Sequence, residues 1–155
     1  MALRHRLIGR AARLYWWFRR PRTLGVRVLV HDGSGRIALV RHTYADHWYL
    51  PGGGVKKGEA FAAAALREVE EEIGLTDCTI EHILGVYHSR REYKDDHIVL
   101  FVVRAPDGAR IAAHDAREIA EVGWFAPDAL PKDVSAATAR RIAEYRAGTI
   151  GAGLW

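Results

Sequence analysis

The chain has one cysteine and one methionine in 155 residues, and it has no uninterrupted apolar stretch near the length of a membrane span. Cys78 by itself cannot close an internal disulfide, and no CxxC or His/Cys grouping offers a zinc site. A disulfide scaffold and a zinc module are therefore excluded, and a reducing cytoplasm is the expected compartment. At the entrance to an expected strand, Cys78 reads as a small buried hydrophobe. Internal repeats are absent, and low complexity is confined to the alanines of one helix. The 49% hydrophobic and 27% charged fractions are those of an ordinary globular protein, and the length suits one domain with a sizeable core.

Acidic residues are missing altogether from positions 1–22, which carry seven arginines (4, 6, 10, 13, 19, 20 and 22). Removing those seven from the net +4 leaves −3, so the basic character belongs to this arm. Its apolar residues at 3, 7, 11, 14 and 18 fit an amphipathic helix that Pro21 ends. Packing on the same domain or on a second copy in a homodimer is one reading of the arm. Contact with an anionic membrane surface is another, and a removable targeting segment a third. The arginines break up a signal-peptide core, and serine, common in transit peptides, is absent there. The arm contains no nucleic-acid-binding module, and no nucleic-acid partner is expected.

From residue 23 to 155 the pattern is that of a second unit with mixed α and β elements. Leu24–Val30 and Arg36–Arg41 read as strands of a hairpin around His31–Gly35. Thr79–His88, His97–Val103 and Glu121–Phe125 read as three more strands. Glu59–Ile73 reads as a helix stopped by Gly74, and Ser135–Arg146 as a second with Ala139, Ile142 and Tyr145 on its apolar side.

The first helix carries an unusual load, with four glutamates at 68, 70, 71 and 72. Glu68, Glu71 and Glu72 stand at i, i+3 and i+4, so their carboxylates share one helix face while Glu70 points elsewhere. Like charges at that spacing repel, and either full hydration or a cation must compensate. A hard divalent ion such as Mg²⁺ takes carboxylate oxygens and is commonly shared with substrate phosphates. Just before the helix lies Leu50-Pro51-Gly52-Gly53-Gly54-Val55-Lys56-Lys57-Gly58-Glu59, whose glycines permit close approach of backbone to a ligand.

Taken whole, Gly53 to Leu75 resembles the Nudix box, G-x5-E-x7-R-E-U-x-E-E-x-G-U with U aliphatic, and every specified position is filled. The resemblance implies a Nudix fold, a mixed β-sheet sandwiched between helices, here with an added N-terminal amphipathic helix. It implies that Glu68, Glu71 and Glu72 bind Mg²⁺ or Mn²⁺, that the Gly53 carbonyl joins them, that Arg67 orients the glutamates and that Glu59 supports the motif. It also implies hydrolysis of a nucleoside diphosphate linked to another group X, by water attack at phosphorus. The expected partner is a nucleotide-type small molecule: a nucleoside triphosphate, a nucleotide sugar or a dinucleotide. A ligand-sensing or protein-binding module on the same fold is the alternative, and the intact glutamates argue against it. An isoprenoid diphosphate isomerase would need a cysteine acid/base, for which only Cys78 is available.

Outside the box, Glu118 precedes a Trp-containing strand where relatives often place another metal ligand or the catalytic base, and it is preferred to Glu121. Asp95, Asp96 and His97 form a competing group. Arg41 could bind phosphate, with a surface ion pair as the other reading. Trp48, with Tyr44, His47 and Tyr49, could stack on a base, although burial in the core explains Trp48 and Tyr49 equally well. Tyr93 stands where dinucleoside polyphosphate hydrolases tend to carry a tyrosine, and the proline expected of ADP-ribose enzymes is missing.

Overall fold

A computed structural model describes residues 22–90 and 95–155. The expected N-terminal helix and Tyr93 lie outside the described residues. Strands β1 (Arg22–His31), β2 (Ile37–His42) and β3 (Trp48–Tyr49) are followed by helix α1 (Phe61–Ile73). After it come β4 (Thr79–Ser89), β5 (Asp95–Arg104), β6 (Ile119–Phe125), helix α2 (Ala136–Ala147) and β7 (Gly151–Leu154). One seven-stranded mixed sheet runs β3-β2-β1-β5-β4-β7, with β6 along the other edge of β2.

The expected strands form, but their partners are not those that adjacency in sequence suggests. β1 and β2 are antiparallel neighbours, as a hairpin requires, yet register with each other only at His31 and Ile37. The long partner of β1 is β5, in parallel from Arg22 opposite Asp95 to His31 opposite Arg104. That of β2 is β6. The two strands that were not anticipated, β3 and β7, are two and four residues long, too short to show a hydrophobic period.

Alternation along the strands divides the core between the two faces of the sheet. Val26, Val28 and Val30 of β1, with Ala38 and Val40 of β2, pack against Ala64, Ala65, Val69 and Ile73 of α1. Leu29, Ile37, Leu39, Leu100 and Val102 pack on the other side with Trp48, Leu50 and Ile142 of α2. Full burial on both faces explains why β1 and β2 read as nearly continuous apolar runs.

Helix α1 starts at Phe61 rather than Glu59, because Glu59 and the extended Ala60 belong to the preceding loop. It ends at Gly74, whose N–H donates to the Glu70 carbonyl. Helix α2 is capped by Ser135, whose Oγ accepts from the Thr138 N–H at 3.1 Å.

Asp32 organises the turn between β1 and β2. One carboxylate oxygen accepts from the Ser34 hydroxyl at 2.8 Å and from the backbone N–H groups of Ser34 and Arg36 at 3.0 and 2.9 Å, and the other from Arg36 Nε at 2.8 Å. Burial opposes its ionisation, but these bonds outweigh burial and hold the carboxyl below its ordinary 3.8. A folded value below the unfolded one means that the stabilisation is complete above about pH 4 and fades as the pH falls through the folded value. Asp32→Ala is expected to cost about 1–3 kcal/mol at pH 7, read by urea unfolding, with the gap from wild type closing as the pH falls below about 4.

Candidate active site

Helix α1 turns an otherwise apolar face to the sheet, and Glu68 and Glu72 interrupt it one turn apart. They are only 9% and 5% exposed, whereas Glu71 lies on the solvent side of the same helix. Carboxylates at that depth require partners. Glu72 Oε2 accepts the Gly52 N–H at 3.0 Å, and Glu68 Oε1 accepts from Arg67 Nη1 at 2.7 Å.

Arg67 ties the motif together. Its Nε donates to Glu59 Oε1 at 2.7 Å, and its Nη2 to Glu59 Oε2 and the Gly54 carbonyl, each at 3.0 Å. Nη1 also reaches Glu71 Oε2 at 2.9 Å. One guanidinium thus sets three carboxylates and fastens the loop to the helix, which the planar fork of arginine allows. The Arg67 bonds, with the Lys56 N–H, hold the Glu59 carboxyl down to about 2. The same bonds push the Arg67 guanidinium further above its already high value.

The glycine loop is pinned to β1 by backbone bonds: Val28 N–H to the Pro51 carbonyl at 2.8 Å and Val26 N–H to the Gly53 carbonyl at 2.9 Å. Arg27 Nη1 donates to the carbonyls of Gly52 and Leu50 at 2.8 and 3.1 Å. Gly53 lies so close to the helix that a Cβ there would stand 2.7 Å from Glu68 Oε1. The Gly53 carbonyl therefore already has one partner, which leaves a single lone pair for anything else.

A register shift completes the cluster. Arg41 pairs with Glu121 and His42 with Ile119, so Ala120 is bulged. The Thr43 N–H donates to the Glu118 carbonyl at 2.8 Å and fixes Glu118 beside the end of β2. One ligand atom each from His42, Glu72 and Glu118 then lies within 4.8 Å of the others. Burial pushes the Glu72 carboxyl up to about 7; the Gly52 N–H and Arg27 act against this, and Glu68 and Glu118 add to it. Burial, with Arg27, also lowers the His42 pKa against the pull of Glu118.

The result is a cleft of about 260 Å³ lined by Glu68, Glu71, Glu72, His114, Asp115 and Glu118, and Glu70, expected to point elsewhere, also borders it. Nearly all the donors are hard oxygens, and among the described residues no arginine or lysine pairs with the buried Glu72 carboxylate. Both features fit a divalent ion.

Two candidates from the sequence do not reach this cleft. Ile37 and Leu39 of β2 face α2, and Arg41 continues that alternation, its guanidinium pairing with Glu121 and lying 5.7 Å over the Trp48 ring. Trp48 is 8% exposed and packs edge-on against Phe125. The expected phosphate contact and base platform are thus an ion pair and a core aromatic, on the opposite face of the sheet from Glu72. Asp95 pairs with His88, and the His97 ring lies 5.1 Å from that of His88, while Asp96 lines a neighbouring pocket with Arg27, Gly53 and Gly54.

Arg27 and His42 were not singled out in the sequence. A charged residue between Val26 and Val28 was the available signal for the first. For the second it was the alternation of Ala38, Val40 and His42 toward α1.

The NUDIX domain model matches residues 21–145. A Bacillus subtilis protein provisionally named an 8-oxo-dGTP diphosphatase is 32% identical over 126 residues, covering 81% of each chain. An ADP-ribose pyrophosphatase of Methanocaldococcus jannaschii is 38% identical over 106 residues, 65% of this chain and 60% of that one. The crystal structure of a MutT NUDIX hydrolase from Burkholderia pseudomallei superposes with a TM-score of 0.67 at 26% identity, covering 80% of this chain and 98% of that one. With the box filled, its carboxylates gathered at one cleft and the family model spanning most of its length, the chain belongs to the NUDIX domain family and is a Nudix hydrolase.

Proposed function

We propose that this protein is a Mg²⁺- or Mn²⁺-dependent pyrophosphohydrolase that cleaves a nucleoside diphosphate linked to a further group, with a nucleoside triphosphate as the first substrate class. The observation that carries the reading is the convergence of Glu68, Glu71 and Glu72 with Glu118 on one cleft beside the glycine loop. The substrate class is favoured by the relative that matches across 81% of both chains and is named for a nucleoside triphosphate. Nucleotide sugars, dinucleotides and ADP-ribose come next. Among the described residues no helix is long and apolar enough to cross a membrane. A cytoplasmic setting and a homodimer are part of the same proposal.

Glu68, Glu71 and Glu72 would hold the ion, with Glu118 and the remaining lone pair of the Gly53 carbonyl at its margin. The ion, when bound, neutralises charge on the phosphate oxygens and lowers the pKa of water. Arg67 holds Glu68 and Glu71 in place, so little reorganisation is left for the moment of reaction. Glu118 is exposed at the rim, where its carboxylate can accept the proton of the attacking water. Arg27 and the Gly52 N–H keep the loop and Glu72 in register.

Purified protein is to be assayed for phosphate or pyrophosphate release with Mg²⁺ or Mn²⁺ against nucleoside triphosphates, oxidised dGTP, ADP-ribose, nucleotide sugars and diadenosine polyphosphates. Metal-dependent cleavage of triphosphates is the expected result. Cleavage of another class alone would move the substrate, and nucleotide binding without turnover in any class would favour the ligand-sensing module.

A further inference from the structure

Beside Glu72 and Glu118 stands a ring nitrogen that the carboxylate chemistry does not use. His42 is 8% exposed, and its Nε2 lies 3.8 Å from Glu72 Oε1. That separation is too long for a hydrogen bond, and among the described residues Nε2 has none. Two donors bound to one ion at about 2.1 Å each stand at most about 4.2 Å apart, so at 3.8 Å a small closing movement of either side chain brings both onto one ion.

The rest of the ring is fixed as a ligand histidine requires. Nδ1 lies 3.3 Å from the Tyr44 hydroxyl, and the two rings stack at 5.1 Å. If Nδ1–H donates to Tyr44, the lone pair of Nε2 faces the cluster. Glu118 lies close enough to the Tyr44 hydroxyl to help raise its pKa, behind the larger effect of burial. The bulge at Ala120 brings Glu118 to the end of β2, next to His42. A buried ring nitrogen without a hydrogen bond calls for a partner, and an ion shared with Glu72 supplies one.

We propose that His42 Nε2 is a ligand of the divalent ion, shared with Glu72 and Glu118, and that this nitrogen shifts the site's preference from Mg²⁺ toward first-row transition ions, Mn²⁺ included. The inference rests on the metal-dependent reading above and specifies the ion's ligands. Mg²⁺ favours an all-oxygen shell, whereas imidazole is a common ligand of transition ions.

The test is pulsed electron paramagnetic resonance of the full-length protein loaded with Mn²⁺, with and without ¹⁵N-histidine labelling, alongside calorimetric titration with Mn²⁺ and Mg²⁺. Wild type is expected to show coupling to a directly bound imidazole nitrogen that changes with the label and disappears in His42→Gln. The same variant is expected to lose about 10- to 100-fold in Mn²⁺ affinity, with Mg²⁺ affinity changing by less than ~3-fold. Bound Mn²⁺ without histidine coupling in wild type would overturn the assignment and leave the hydrolase reading standing. Coupling that survives in His42→Gln would overturn it too, and would move the nitrogen to another histidine such as His114, which lines the cleft. No binding of Mn²⁺ at all would overturn the metal reading itself. If His42→Gln fails to fold, His114→Gln takes its place: coupling that persists in that variant keeps the assignment to His42, and coupling lost in it overturns the assignment.

Discussion

Glu72→Gln is expected to lower turnover by roughly 10²–10³-fold while leaving the metal-free fold as stable as wild type, or more so. The two effects separate because Glu72 is placed for charge and not for packing. Its carboxylate is 5% exposed, and burial already pushes its pKa up to about 7. Glutamine has the same shape, and its amide oxygen can still accept the Gly52 N–H, so the loop contact survives. The substitution removes a buried charge whose compensation is missing until a cation binds. Thermal melts should therefore show a Tm equal to or above wild type without metal. Added Mn²⁺ should raise the wild-type Tm more than that of the variant, because only binding to the folded state stabilises it. Near-normal turnover in Glu72→Gln would remove this residue from the site. A collapsed melt would mean that the carboxylate has a structural role instead.

Gly52→Ala is expected to cost about 2–5 kcal/mol and to abolish activity in whatever fraction stays folded. Gly52 has φ near +140°, a conformation that side-chain-bearing residues rarely adopt, and a Cβ there would stand 2.2 Å from the Val26 carbonyl oxygen. Since that oxygen is backbone in a central strand, the loop must move and not the strand. Moving it breaks the Gly52 N–H bond to Glu72 and the Arg27 bond to the Gly52 carbonyl together. Urea unfolding with turnover measured below the transition checks this. Wild-type stability in Gly52→Ala would show that the loop is not held as tightly against β1 as these contacts require. Gly54, where a Cβ meets nothing within 4 Å, is the natural control.

The sequence alone carried the box, and with it the family, because that signal is local. Glu59, Arg67 and the glutamates act through spacing on a single loop and helix, and a helix converts spacing into a shared face without help from the rest of the chain. The strands of the central sheet were legible for a related reason, since burial on both faces leaves apolar runs that mark β1, β2 and β5. Glu118 was found through its place before Trp124, and the tertiary structure brings it to Glu72.

What the sequence could not give was which residues meet across the sheet. Arg41 and His42 are adjacent in sequence, yet a strand sends them to opposite faces: the first to Glu121 and Trp48, the second to Glu72. Neither the bulge at Ala120 nor the parallel pairing of β1 with β5 leaves a mark in local composition. Each depends on hydrogen bonds between segments distant in sequence, so only the folded sheet could decide that His42 lies beside Glu72 and Arg27 against the glycine loop, while Arg41 and Trp48 lie on the opposite face.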